Sequence, residues 1–201
     1  MKYEIRITTP HIGEVNSRTA LLYARVPRAD EKTRDALQEC IADVSGILTP
    51  KVLYTVCPVS IDNDRVDLGF KETVSGNLAK HLSGCSQVIV MLATVGSGID
   101  RYVARYQKLR PSRAYLAGAI GTERVEALCD AFETELSSLP EYLGCAFTKR
   151  YSPGYGDLSL SIQSDILSLL EAYKYAGITL SDGYLMMPSK TVTALIGVKN
   201  V

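Results

Sequence analysis

Apolar and polar positions alternate over Tyr3–Thr9, the period-two signature of a short strand. Ser17–Val26 and Ala29–Gly46 follow a helical period instead. In the second of these, Leu37, Ile41 and Val44 share one face, and Gly46 supplies the stop. Val52–Val56 is β-branched and aromatic, which predicts a strand, and Pro58 closes it. Asn63-Asp64 marks a turn into a short strand over Val66–Leu68. Ser75 carries the hydroxyl of an N-cap and opens a helix to about Leu82.

Val88–Val95 is apolar throughout, as a central strand buried on both faces should be. It runs through Gly96-Ser97-Gly98 into an amphipathic stretch, Ile99–Leu109. Pro111 then opens a long helix to about Leu136, with Val125, Leu128, Phe132 and Leu136 on one face. Phe147–Arg150 reads as a short strand and Ile166–Ala176 as a helix ended by Gly177. The last segment reads as a hairpin: Tyr184–Met187, a turn at Pro188-Ser189-Lys190, then Val192–Val198. Strands and helices mix without strict βαβ alternation. The expected fold is therefore α+β, a single domain over residues 1–201 with a mixed, partly antiparallel sheet and flanking helices.

Composition narrows the partners. Lysine plus arginine equals aspartate plus glutamate at 22 each, so the formal net charge is zero. Nucleic acid and anionic membrane, which usually call for a basic excess, are not expected partners. The five cysteines are widely spaced without a C-x-x-C pair, and only two histidines are present, which disfavours a zinc or iron–sulfur site. Buried, reduced thiols are expected. The opening MKYEIRITTP lacks a signal peptide's apolar stretch, and Val88–Ala93 is too short to span a bilayer. Both point to the cytoplasm.

Few segments suggest chemistry. Gly96-Ser97-Gly98 between a strand and a helix suits either an anion cradle at a helix N-terminus or a tight strand-to-helix turn. It matches no dinucleotide or P-loop spacing and lacks the phosphate lysine. The acidic residues over Glu123–Glu135 fall mostly away from the Leu128–Phe132 stripe, as on a solvated face. His81 reads as a helix C-terminal cap or a surface residue. With two histidines in all, a nucleophile–base arrangement has little support.

Arg150–Gln163, RYSPGYGDLSLSIQ, is richer. Pro153-Gly154 is a type II turn signal, and the glycine permits close approach to the backbone. Arg150 has the planar fork that grips a carboxylate in two hydrogen bonds. Tyr155 offers a flat face and a polar tip. The segment is either a simple turn or a loop for a ligand carrying a carboxylate, a heteroaromatic ring and a positive centre.

RYSPGYG resembles the R-x-x-P-G-Y signature of the activation domain of cobalamin-dependent methionine synthase. LLEAYKYAGITLSDGYLMMPSKTVTALIGV is similar to the family's following helix, I-x-L-T-x-S segment and Pro-centred turn. ATVGSGIDRYVARY and VEALCDAFETEL look like those of its free-standing short relatives, so the likeness covers the chain from about Cys85. The resemblance implies an S-adenosylmethionine (AdoMet) site. In it Arg150 lies near the methionyl carboxylate, Ser152 offers backbone, and Pro153, Gly154 and Tyr155 form the lining turn. Asp130 stands where longer members carry a ligand-contacting glutamate; being one methylene shorter, it needs a closer helix or a bridging water.

The implied activity is reactivation by reductive methylation. Cobalamin sits on a partner corrinoid-binding methionine synthase subunit, a flavodoxin- or ferredoxin-like protein donates the electron, and AdoMet donates the methyl group. The longer domains also use an acidic residue beside an N-terminal tryptophan, and this chain has no tryptophan. That departure keeps open a non-catalytic accessory protein that docks on a corrinoid methyltransferase without AdoMet. A nucleotide-binding enzyme built on Gly96–Gly98 is a third alternative.

Overall fold

The structure, a computed structural model, describes residues 3–200; the first two residues and the last of the expected 1–201 domain lie outside the described residues. The strands are β1 (Arg6–Thr8), β2 (Lys51–Pro58), β3 (Ser60–Asp62), β4 (Arg65–Asp67), β5 (Glu72–Val74), β6 (Gln87–Thr94), β7 (Cys145–Phe147), β8 (Thr179–Leu180), β9 (Met186–Met187) and β10 (Thr191–Asn200). The helices are α1 (Ser17–Tyr23), α2 (Glu31–Ser45), α3 (Gly76–His81), α4 (Gly98–Tyr106), α5 (Pro111–Ser138), α6 (Ile162–Leu169) and α7 (Ala172–Ala176). This is the α+β class that the pattern predicts.

The main sheet has the order β1-β2-β6-β10-β7, and each of its ladders is antiparallel. Strand β6 lies at its centre, paired along its length with β2 and β10. Its pleat sends Ile89, Met91 and Ala93 into one core and Val88, Val90 and Leu92 into another. Helices α1, α2, α4 and α5 cover the first face through residues such as Ala20, Leu37, Ile99 and Leu128. Leu78 of α3, Ile166 of α6, Ala172 of α7 and Val66 of β4 cover the second. Water is excluded from both faces, so no position along the middle of β6 can be polar without cost. Each fully buried aliphatic side chain contributes about 1.5–3 kcal/mol.

Local chemistry sets the helix starts. Asn16 accepts from the Thr19 amide at 3.0 Å, Asp30 from Thr33 at 2.9 Å and Ser75 from Leu78 at 3.0 Å. Pro111 opens α5, where its missing N–H costs nothing. Among the described residues no helix is long and apolar enough to cross a membrane.

Three expectations are corrected. The strand at Phe147–Arg150 lies earlier, at Cys145–Phe147, after which Tyr151 makes an isolated bridge to Leu195. The helix over Ile166–Ala176 begins at Ile162 and is broken at Glu171, which takes a left-handed φ of 44°. That break lets both Leu170 and Ala172 face the core, which a continuous helix would set about 200° apart. In the hairpin, Met186–Met187 pairs with Thr179–Leu180, leaving β10 to pair with β6 and β7. A small sheet, β3-β4-β5, also surrounds the strand expected at Val66–Leu68.

The glycines after β6 have a packing explanation. Gly96 has a φ of +80°, and a Cβ there would sit 1.9 Å from Thr49 Oγ1. A Cβ on Gly98 would sit 2.1 Å from the Ile47 carbonyl oxygen. The α2–β2 connection thus presses directly on this turn. Gly98→Ala is expected to destabilise the fold by about 1–3 kcal/mol in urea denaturation. Gly118→Ala, whose Cβ meets nothing within 4 Å, is expected to be neutral or stabilising.

Candidate functional site

Arg150 immediately precedes Tyr151, whose amide and carbonyl bond Leu195 of β10 at 2.9 Å each. Tyr151 packs against the second core. Arg150 points the other way, towards α5. There Glu126, Asp130 and Glu133, spaced i, i+4 and i+7, form one stripe. Arg150 Nη1 donates to Asp130 Oδ1 at 2.9 Å and to Glu133 Oε1 at 2.8 Å, and Nη2 to Glu126 Oε2 at 3.1 Å. The Arg150 side chain is 21% exposed and that of Asp130 73%. Burial pushes the Glu133 carboxyl above its ordinary range, against the pull of Arg150.

The loop beyond Arg150 is held by its own backbone. The Tyr155 amide donates to the Ser152 carbonyl at 3.1 Å across Pro153-Gly154, and Gly154 has a φ of +85°, as a type II turn requires. The Gly154 amide bonds the Leu158 carbonyl at 3.0 Å, and the Leu158 amide bonds the Tyr155 carbonyl at 3.0 Å. Pro153 and Leu158 are buried. Asp157 accepts from the Asn77 amide at 3.3 Å and from the Ser75 hydroxyl, fastening the loop to the start of α3. Tyr155 is left 68% exposed at the loop tip.

These elements enclose a cavity of about 430 Å³ lined by Glu126, Asp130, Glu133, Lys149, Arg150, Ser152, Tyr155 and Val192. Of the residues expected to form a site, Asp130, Arg150, Ser152 and Tyr155 line this cavity, while Pro153 and Gly154 form the turn between them. Glu126, Glu133, Lys149 and Val192 were not anticipated. The signal for the two glutamates was present in their spacing with Asp130 along the helix.

The solvated-face reading of Glu123–Glu135 needs correction. Glu123 is 4% exposed and Arg124 also 4%, and the two pair through Arg124 Nη2 and Glu123 Oε1 at 2.7 Å. Arg124 Nη2 further donates to the Glu14 carbonyl at 3.0 Å, and the Asn16 amide donates to Glu123 at 3.2 Å. This pair staples the segment before α1 to α5. His81 also has a more specific place than a cap or surface residue. Its Nε2–H donates to the Lys149 carbonyl at 2.8 Å, and its ring lies 4.9 Å from that of Tyr151.

Cys40, Cys57 and Cys129 are buried, and Cys85 and Cys145 half-buried. Burial pushes the Cys129 and Cys57 thiols up to about 12. They are therefore protonated and inert near neutral pH. Among the described residues no group of histidine, cysteine, aspartate and glutamate is arranged to hold a metal ion.

Among solved structures, the chain is similar to one described as the crystal structure of the MetH reactivation domain bound to AdoHcy. The TM-score is 0.70 at 12% identity, over 98% of this chain and 78% of the other. The chain has the MetH reactivation domain fold. No family model and no curated protein matches the sequence.

Within this fold, Arg150 is the cation on which three carboxylates converge. Arg150→Met is expected to leave Glu126, Asp130 and Glu133 facing one another, lowering stability by about 1–3 kcal/mol. Urea denaturation at low and high salt checks this, since screening of the carboxylate repulsion should shrink the deficit.

Proposed function

We propose that the protein binds AdoMet at the Arg150 cavity and supports reductive methylation of cob(II)alamin on a partner corrinoid-dependent methionine synthase or related methyltransferase. The observation that carries this reading is the R-x-x-P-G-Y turn set against the carboxylate stripe of α5 in a reactivation-domain fold. The similar MetH structure is described as bound to AdoHcy, the product left when AdoMet gives up its methyl group.

The residues present fit AdoMet. Three carboxylates and two cations line the cavity, a formal excess of one negative charge. That excess favours the cationic sulfonium ligand over neutral AdoHcy. Arg150 anchors the methionyl carboxylate, exchanging one of its present partners for the ligand. Asp130, the most exposed of those partners, then pairs with the ammonium. Gly154 permits close approach to the loop, Ser152 offers backbone, and Tyr155 packs near the sulfonium or the adenosine.

Bound there, AdoMet would supply the methyl group to a partner's cobalamin, the one electron that cob(II)alamin needs coming from a flavodoxin- or ferredoxin-like donor. The chain contributes position rather than acid–base chemistry, holding the methyl where the partner's cobalt can reach it. We expect it to act in the cytoplasm, where such donors and reduced thiols are found.

One observation favours a second reading, an accessory protein that docks on a corrinoid methyltransferase without AdoMet: the guanidinium already meets three carboxylates. Calorimetric titration separates the two. The first predicts saturable AdoMet binding, tighter than AdoHcy and weakened roughly tenfold or more by Arg150→Ala, as loss of one charged contact implies. It also predicts that AdoMet affinity falls as acid neutralises Glu133, starting on the upper side of the ordinary carboxylate range because burial raises that group. Absence of AdoMet binding, both alone and with a corrinoid protein present, would overturn the first, and a complex with the corrinoid protein formed without AdoMet would support the second.

A further inference from the structure

A second cavity, of about 540 Å³, opens where α4 crosses the first half of α5, and it shares no lining residue with the Arg150 cavity. Ile99 and Val103 of α4 and Ala114, Gly118 and Ala119 of α5 make its apolar wall, while Tyr23 and Tyr115 stand half-exposed at its edge. Its volume falls within the range of small-molecule sites, which pair an apolar lining with a few placed polar groups.

Two of those groups carry opposite charge. The stem of Lys190 crosses α5 at Gly121, where an added Cβ would come 3.0 Å from Lys190 Cγ. The Lys190 ammonium bonds one neutral hydroxyl, Thr122 Oγ1, at 3.0 Å. Asp100, in the first turn of α4, accepts the Ser189 amide on Oδ2 at 3.0 Å. Among the described residues no carboxylate lies within ion-pair distance of Lys190, and no cation within that distance of Asp100. Burial pushes the Lys190 ammonium below its ordinary range, with the Asp100 charge opposing. A half-buried ammonium and a carboxylate therefore face one cavity without neutralising each other in direct contact.

A simple anion in this cavity would satisfy Lys190 but meet Asp100 as a like charge. A simple cation would do the reverse. A zwitterion satisfies both, and the apolar wall with its two tyrosines takes a flat hydrophobic side chain. We infer that this cavity is a binding site for a free amino acid with an aromatic side chain, its carboxylate on Lys190 and its ammonium on Asp100. The site is independent of the AdoMet proposal.

The test uses L-phenylalanine as probe in saturation-transfer NMR with the full chain. 3-Phenylpropionate, lacking the ammonium, and phenethylamine, lacking the carboxylate, serve as controls. The expected result is saturable binding of phenylalanine, with each control weaker by roughly tenfold or more, as for loss of one charged contact. Lys190→Met and Asp100→Asn should weaken binding similarly. Gly118→Leu fills the cavity from a position where an added Cβ meets nothing within 4 Å, so it should fold and abolish binding. Arg150→Ala should leave phenylalanine binding unchanged. The proposal is overturned if phenylalanine does not bind at millimolar concentration, if either control binds as well, or if Gly118→Leu binds normally. Loss of binding in Arg150→Ala with retention in Gly118→Leu would likewise overturn it, moving the ligand to the other cavity.

Discussion

A central strand buried on both faces must be apolar throughout, and it needs a cover on each side. Strand β6 imposes that requirement here: β2 and β10 complete its ladders, so its only remaining freedom is which side chains face which core. Helices α1, α2, α4 and α5 meet one face, and α3, α6, α7 and the small sheet meet the other. Both cavities lie along α5, which that first core fixes through Leu116, Ile120, Leu128 and Phe132. The cavities therefore share walls with that core: Ile99 and Ala119 belong to it and line the second cavity.

Charge in this protein is managed by pairing at increasing exposure. Glu123 and Arg124 are almost fully buried, and their desolvation is offset by a two-pronged pair and by backbone bonds to the segment before α1. Removing either member would leave an uncompensated buried charge, the costly case. Arg150 is half-buried among three carboxylates, where partners can be exchanged without stranding a charge. Lys190 has a hydroxyl in place of a carboxylate. The first of these arrangements suits a structural staple, and the other two suit sites that take charged ligands.

Loop order has a similar logic. The Arg150–Gln163 segment is rich in turn residues, yet Pro153, Leu158 and Ile162 anchor it in the interior and Asp157 ties it to α3. The amides of Gly154, Tyr155 and Leu158 are engaged within the loop and that of Tyr151 with β10, so the turn presents a fixed surface with Tyr155 at its tip. Such a loop loses little further entropy on meeting a ligand.

Sequence alone determined what depends on neighbours in the chain. The apolar run of β6, the cap at Ser75, Pro111 at the start of α5 and the Pro153-Gly154 turn are each legible because their cause lies within a few residues. Arg150 and Asp130 each drew notice through its own short segment of sequence, but their contact with each other was not legible there. Tertiary structure alone decided the rest. Period-two patterning shows that Tyr184–Met187 is extended but cannot name its partner, and β8 rather than β10 takes it. Nothing local marks Glu171 for a left-handed break; the shared core around Leu170 and Ala172 requires it. Glu123 reads as a surface acid until the segment before α1 folds over it. Lys190 meets Gly121 and Thr122 only because the chain entering β10 is brought against α5. In each case the deciding contact joins residues distant in sequence, and the pattern within a window of residues carries no record of it.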